Sequence, residues 1–372
     1  MMAEVASRVL VAVMLLAAAS SSALAGGGCF TRLFSFGDSI NDNGNWMRYA
    51  QPPGPVARPP YGETFFHRPN GRFSDGRIII DHIADVLGIP FLTPYLAGNS
   101  SEDYAHGANF AVGSATALGH DYFRRNRLDV RFFTPYSLHW QMSWLKKVLR
   151  MQSPEQGPGW SDLMASSLFL VGEVGGNDYN QALFQGRSVD EVKTYVPDVV
   201  ASISASITEL IRLGAKTIVV PGNFPTGCSP GYLTKFQTND TAQYDSMGCL
   251  RWPNDLTKLH NRALRAELAE LRRLHPSVAV VYVDYYAAAM DLIADPRKHG
   301  FGGEPLVSCC GDGGPYNTDF TVRCGMGTAT ACRDPYAAVS WDGFHFTEHA
   351  YKVIAEDAVL PPILAKCGRR RP

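Results

Sequence analysis

The chain has 372 residues and carries 34 Lys and Arg against 35 Asp and Glu, a formal charge of −1. Without a basic excess there is no counterion release to drive binding to a polyanion, which excludes nucleic acid as a partner. Apolar residues make up 45% of the chain, enough to bury a sizeable core.

The first residues read as a secretory signal. Arg8 supplies the charge, Val9 to Ala19 the apolar run, and Ala23-Leu24-Ala25 a small-residue cleavage site. The run falls short of the about 20 residues that cross a bilayer. Residues 1–25 are therefore expected to be removed, leaving one domain over 26–372 with no membrane span. The eight cysteines all follow this leader, and an even number in a secreted chain favours disulfides. Asn99 and Asn239 begin Asn-x-Ser/Thr sequons and are expected to be glycosylated on surface loops.

The first apolar run, Leu33-Phe34-Ser35-Phe36, breaks into Gly37-Asp38-Ser39-Ile40-Asn41-Asp42 and reads as a buried strand entering a loop. Gln51 to Gly62 holds too many breakers to be an element. Ser74 is a plausible N-cap for a helix with Ile79, Ile80, Ile83, Ala84 and Leu87 on one face, closed by Gly88. Ala108 to Val112 is a second strand, ending at Gly113-Ser114-Ala115. Tyr136 to Leu149 has helical spacing. Leu168 to Val171 is a third strand, ending at Gly175-Gly176-Asn177-Asp178, and Val189 to Leu213 a long helix. Thr217 to Val220, the helix Asn254 to Leu274 and Val278 to Val283 follow, and Thr347 to Leu360 is the last helix. Alternation of this kind implies a parallel sheet covered on both faces, one three-layer α/β domain. Cys309 to Cys332 breaks the rhythm and reads as a disulfide-stapled loop; its four thiols lack the paired C-x-x-C spacing of a zinc site.

Strand ends of a parallel sheet converge at one edge, so Ser39, Gly113, Asn177 and the pair Asp342 and His345 can meet there. Those residue types suit acyl transfer. A Ser hydroxyl needs an imidazole to take its proton, and the imidazole needs a carboxylate on its other nitrogen. The tetrahedral intermediate needs N–H donors, and losing one typically costs about 2.7–4 kcal/mol. A competing serine, Ser229, lies in Gly227-Cys228-Ser229-Pro230-Gly231, which has the G-x-S-x-G form of a nucleophile elbow. Asn223-Phe224-Pro225 separates it from the preceding strand, and no helical pattern follows it.

At these positions the chain resembles the plant GDSL esterase/lipase family of the SGNH hydrolase superfamily. Phe36-Gly37-Asp38-Ser39-Ile40 is similar to its first block, with Ile40 for the usual Leu, and Gly107 to Ala115 to its second. Gly172-Glu173-Val174-Gly175-Gly176-Asn177-Asp178-Tyr179-Asn180 resembles the third, and Asp342-Gly343-Phe344-His345 the fifth. Pro60 to Arg77 resembles the branch with esterases acting on choline esters and acetylated alkaloids. The resemblance implies a flavodoxin-like sheet, Ser39 as nucleophile, His345 as base and Asp342 as its orienter. It implies oxyanion donors at Ser39, the Gly113 N–H and the Asn177 side chain. Ser114, where the family usually has Gly, is expected to narrow the space beside the oxyanion.

The expected function is that of a secreted serine esterase forming an acyl-enzyme on small-molecule or glycan esters, with no cofactor and no metal. An acyltransferase would use the same acyl-enzyme, and a non-catalytic wall- or carbohydrate-binding protein would not need the three residues intact. The absence of an apolar lid-like helix disfavours long-chain triglycerides. Cys228 and Cys249 are expected to pair, the four cysteines of the loop to form two bridges, and Cys29 with Cys367 to join only if the chain ends meet. Trp341 and Phe344 are expected to pack beneath the loop bearing His345.

Overall fold

Five apolar runs become strands in the computed structural model, which describes residues 29–153 and 158–367. They are β1 (Arg32–Phe36), β2 (Gly107–Asn109), β3 (Ser167–Val171), β4 (Thr217–Pro221) and β5 (Ala279–Val283). All pair in parallel, in the order β2-β1-β3-β4-β5, with Leu33 opposite both Gly107 and Leu168. The leader over residues 1–25 lies outside the described residues.

Successive strand residues point to opposite faces, and each face has its own core. Phe34, Phe36, Phe169, Val171, Ile218 and Val220 meet the helices Leu138–Gln152, Val196–Arg212 and Arg251–Leu274. Leu33, Leu168, Leu170 and Val219 meet Ile79–Leu87, Tyr285–Ala294 and Glu348–Ile354. Burial on both sides explains why the strands read as unbroken apolar runs. This is the expected three-layer flavodoxin-like α/β architecture. Because β2 and β3 flank β1, the chain reverses direction across the sheet there, and a crevice opens beyond the ends of β1 and β3.

Local differences have local causes. The segment Val189 to Leu213 is two helices, Val189–Lys193 and Val196–Arg212, because Pro197 suits a first turn and cannot continue a helix. The helix Ile79–Leu87 is capped at Ile78 rather than Ser74: the Asp81 carboxylate accepts the Ile78 N–H at 2.9 Å. Ser74 Oγ instead donates to the Phe346 carbonyl at 3.1 Å. A short helix, Pro230–Lys235, follows Ser229, contrary to the sequence expectation.

Four disulfides join Cys29–Cys367, Cys228–Cys249, Cys309–Cys332 and Cys310–Cys324, so the ends of the described chain do meet. Within the stapled loop, Cys310–Gly311 and Thr330–Ala331 form a two-stranded antiparallel pair, β6 and β7. Asn99 and Asn239 are exposed on irregular segments. No described helix is long and apolar enough to cross a membrane.

Candidate active site

The turn after β1 is built to hold Ser39 out at the sheet edge. Gly37 adopts φ 141°, and a Cβ there would lie 2.6 Å from the Glu173 carbonyl, so no side chain fits. Its N–H and carbonyl are both taken by the Gln141 side-chain amide, at 2.9 and 2.8 Å, which ends the strand firmly. The Asp38 Oδ1 accepts the Ile40 N–H at 3.0 Å and folds the turn tightly around Ser39.

Opposite stands the loop Trp341–Phe346. Its base closes through Trp341 N–H to His345 O at 2.7 Å, and Cys310 N–H donates to Trp341 O at 2.7 Å, which ties it to the disulfide-stapled segment. His345 Nε2 lies 2.8 Å from Ser39 Oγ, and His345 Nδ1 lies 2.8 Å from both Asp342 carboxylate oxygens. Asp342 Oδ1 also accepts the Phe344 and His345 N–H groups at 3.1 and 3.0 Å, and Oδ2 accepts the Tyr61 hydroxyl at 2.7 Å. Burial pushes the Asp342 carboxyl up. The facing His345, by charge and hydrogen bond, together with Tyr61 and the Phe344 N–H, outweighs it and holds the group below its ordinary range. Such an arrangement can strip a proton from a hydroxyl and return it to a leaving group.

Two side chains that sequence reasoning passed over belong to this constellation. Tyr61 is buried with its hydroxyl on Asp342, and the Phe73 ring lies 4.7 Å from that of His345. Both sit in the segment Pro60 to Arg77. That segment is anchored by the buried Arg72, which reaches Asp81 through two N–H groups at 2.7 and 2.6 Å. Trp341 is fully buried against Tyr61, as expected. Phe344 is not beneath the loop; it lines the cleft, against Phe184 and Phe320.

The Gly113 N–H, expected as an oxyanion donor, is committed elsewhere. It donates to Asp42 Oδ2 at 2.7 Å, one of four N–H groups that this buried carboxylate gathers. Burial raises the Asp42 carboxyl to about 6. Gly113 has a different reason to be glycine: a Cβ there would lie 2.7 Å from the Phe73 ring. Ser114 takes φ 65°, lines the cleft and receives a hydrogen bond on Oγ from Gln181 at 3.2 Å. Asn177 stands beside Ser39 in the cleft, with Nδ2 donating to Asp38 Oδ2 at 2.9 Å and to the Ala115 carbonyl at 3.0 Å. No hydrogen bond among the described residues engages the Ser39 N–H.

Ser229 reaches the same cleft, but its Oγ caps the helix Pro230–Lys235 by accepting the Tyr232 N–H at 3.3 Å. Among the described residues no imidazole hydrogen-bonds that oxygen. The cleft encloses about 940 Å³ and is lined by Ser39, His345 and a cluster of rings in which Tyr232, Phe320 and Phe344 each contact Phe184. No described cluster of His, Cys, Asp and Glu has the arrangement of a metal site.

Residues 33–358 match the family model for GDSL-like lipase/acylhydrolase. A GDSL esterase/lipase of Arabidopsis thaliana is 45% identical over 336 residues, 90% of this chain and 85% of the relative. The sinapine esterase of Brassica napus is 42% identical over 336 residues, 90% and 86% of the two chains. Among solved structures, a phospholipase A1 from Streptomyces albidoflavus NA297 covers 91% of this chain and 99% of its own at 13% identity. The TM-score of that pair is 0.39. With the match spanning nearly the whole described chain and relatives this similar along it, the protein belongs to the plant GDSL esterase/lipase family of carboxylic ester hydrolases.

Proposed function

We propose that the protein is a secreted serine esterase that works through an acyl-enzyme on Ser39. The observation that carries this reading is the continuous relay from Ser39 Oγ through both ring nitrogens of His345 to Asp342, each contact at 2.8 Å. Ser39 Oγ attacks the ester carbonyl carbon as its proton passes to His345 Nε2. The imidazolium then gives that proton to the departing alkoxide, releasing the alcohol and leaving the acyl group on Ser39. Water adds next, with His345 again as base, and the proton returns to Ser39 Oγ as the acid leaves. Asp342 holds the ring in the tautomer with Nδ1–H and stabilises the imidazolium. The Ser39 N–H and the Asn177 amide serve the oxyanion, each worth about 2.7–4 kcal/mol in comparable sites.

The leader over residues 1–25, the sequons and four disulfides support entry into the secretory pathway and one mature domain over 26–372. Aromatic side chains along the cleft wall suit a small or aromatic acyl group on a plant metabolite or glycan, and one relative is named for a sinapine ester. The test is a panel of p-nitrophenyl esters and acetylated glycans on purified protein. Turnover of acetyl or aromatic acyl esters that disappears in Ser39→Ala is the expected result. Turnover that survives in Ser39→Ala and disappears in Ser229→Ala overturns the proposal.

A further inference from the structure

Two buried carboxyl groups lie directly behind the nucleophile and have no part in the relay. Asp38 precedes Ser39, and Glu173 lies two residues beyond β3; both are at most 6% exposed. Each carboxyl group shifts the titration of the other, so the two face one another in a buried setting where both are not ionised together and one keeps a proton. The surrounding donors say which one carries it. Asp38 accepts at both oxygens, from the Ile40 N–H at 3.0 Å and from Asn177 Nδ2 at 2.9 Å. Glu173 accepts the Gly176 N–H at 3.2 Å on Oε1, and the Asn223 amide in its favoured orientation donates to the same oxygen at 2.9 Å. No N–H among the described residues donates to Oε2, which makes it the oxygen left to carry the proton.

We propose that Glu173 is a resident neutral carboxylic acid that donates its proton to Asp38, and that the Asp38 carboxylate thereby fixes the Asn177 amide as an oxyanion donor. One Asn177 N–H is held by a charged acceptor and stays. The other, on the neutral Ala115 carbonyl, is held more weakly and is the one free to exchange onto the developing oxyanion. Burial raises Asp38 to about 6 and raises Glu173 well above the usual carboxyl range, the Asp38 charge adding to the latter. Asp42, Asp178 and His345 are the other charged or titratable groups facing the pair, with the phenols Tyr179, Tyr285 and Tyr351. Glu173 is thus a positioning residue, acting through Asp38 and Asn177.

The role for Asn177 rests on the esterase reading; the proton on Glu173 does not, so the two are tested separately. Infrared difference spectra at pH 7 are recorded between Ser39→Ala protein and the same protein carrying Glu173→Gln. A protonated carboxylic acid band lost with Glu173 is the expected result, and its absence from the difference overturns the proposal whatever the enzyme does. In otherwise wild-type protein, Glu173→Leu lowers kcat by ~10-fold or more, the scale of one lost charge-assisted hydrogen bond. It leaves KM little changed and moves the acid limb of the pH profile to higher pH. Glu173→Gln, which keeps both a donor to Asp38 and an acceptor for Gly176, restores most of that loss. A Gln variant as impaired as the Leu variant contradicts the neutral-donor role.

Discussion

Replacing Asp342 by Asn changes one atom and tests the relay at its far end. The carboxylate receives four donors: the His345 Nδ1–H, the Tyr61 hydroxyl and the Phe344 and His345 N–H groups. The two N–H groups converge on Oδ1, so the amide oxygen of Asn settles there and its NH₂ occupies the Oδ2 position. From that position it faces His345 Nδ1 as a donor and competes with the amide oxygen for that nitrogen, which shifts the ring towards the tautomer protonated on Nε2. An Nε2–H cannot accept the Ser39 proton, so the base is lost while the fold is kept. Ser-His-Asp sites altered in this way lose about 10⁴-fold in kcat, or roughly 5 kcal/mol of transition-state stabilisation. The assay is p-nitrophenyl ester hydrolysis at saturating substrate, with Tm measured alongside. Adding Ser39→Ala to Asp342→Asn costs far less than Ser39→Ala alone, because parts of one catalytic unit are not additive. A loss under about tenfold for Asp342→Asn, or full multiplication of the two effects, refutes the relay.

Tyr61→Phe removes the hydroxyl from Asp342 Oδ2 and lowers kcat by about 10-fold, one hydrogen bond to a charged group, with KM unchanged; unaltered kcat refutes it. Gly113→Ala drives a methyl into the Phe73 ring that lies tilted against His345, costing about 1–3 kcal/mol of stability and lowering kcat; a silent variant refutes the packing role given to this glycine. His260 is buried against the Tyr179 hydroxyl, and desolvation lowers it from 6.5 to about 4. The unfolded chain takes up a proton below 6.5 that the folded chain refuses until about 4. This contribution, up to about 3 kcal/mol, is therefore full above 6.5 and lost as pH falls towards 4. His260→Gln flattens the Tm profile across that window, and an unchanged profile contradicts it.

The sheet was legible because burial on both faces leaves its mark one strand at a time. Ser39 was legible for a related reason, since it sits where the apolar run of β1 stops. Asp342 and His345 lie in a loop outside the parallel sheet and were legible from their residue types and three-residue spacing. Reading failed where a residue's partner lies far along the chain. Asp42 captures the Gly113 N–H from 71 residues away, and Tyr61 reaches Asp342 across 281. Neither contact leaves a local pattern. Pro60 to Arg77 did carry a signal, an aromatic-rich segment with no strand or helix period, but nothing in it said which ring met His345. The break before Pro197 was a misjudged local rule, since that proline was visible within the supposed helix. The short helix after Ser229 was masked by Pro230 and Gly231, which read as breakers although Pro is favoured in a first turn.

Covalent trapping tests the central claim most directly. Purified protein is treated with a serine-directed phosphonate ester, digested and mapped by mass spectrometry. A single adduct on the peptide bearing Ser39, absent from Ser39→Ala and formed in step with loss of esterase activity, is the predicted result. An adduct on Ser229, or full inactivation with Ser39 unmodified, contradicts it.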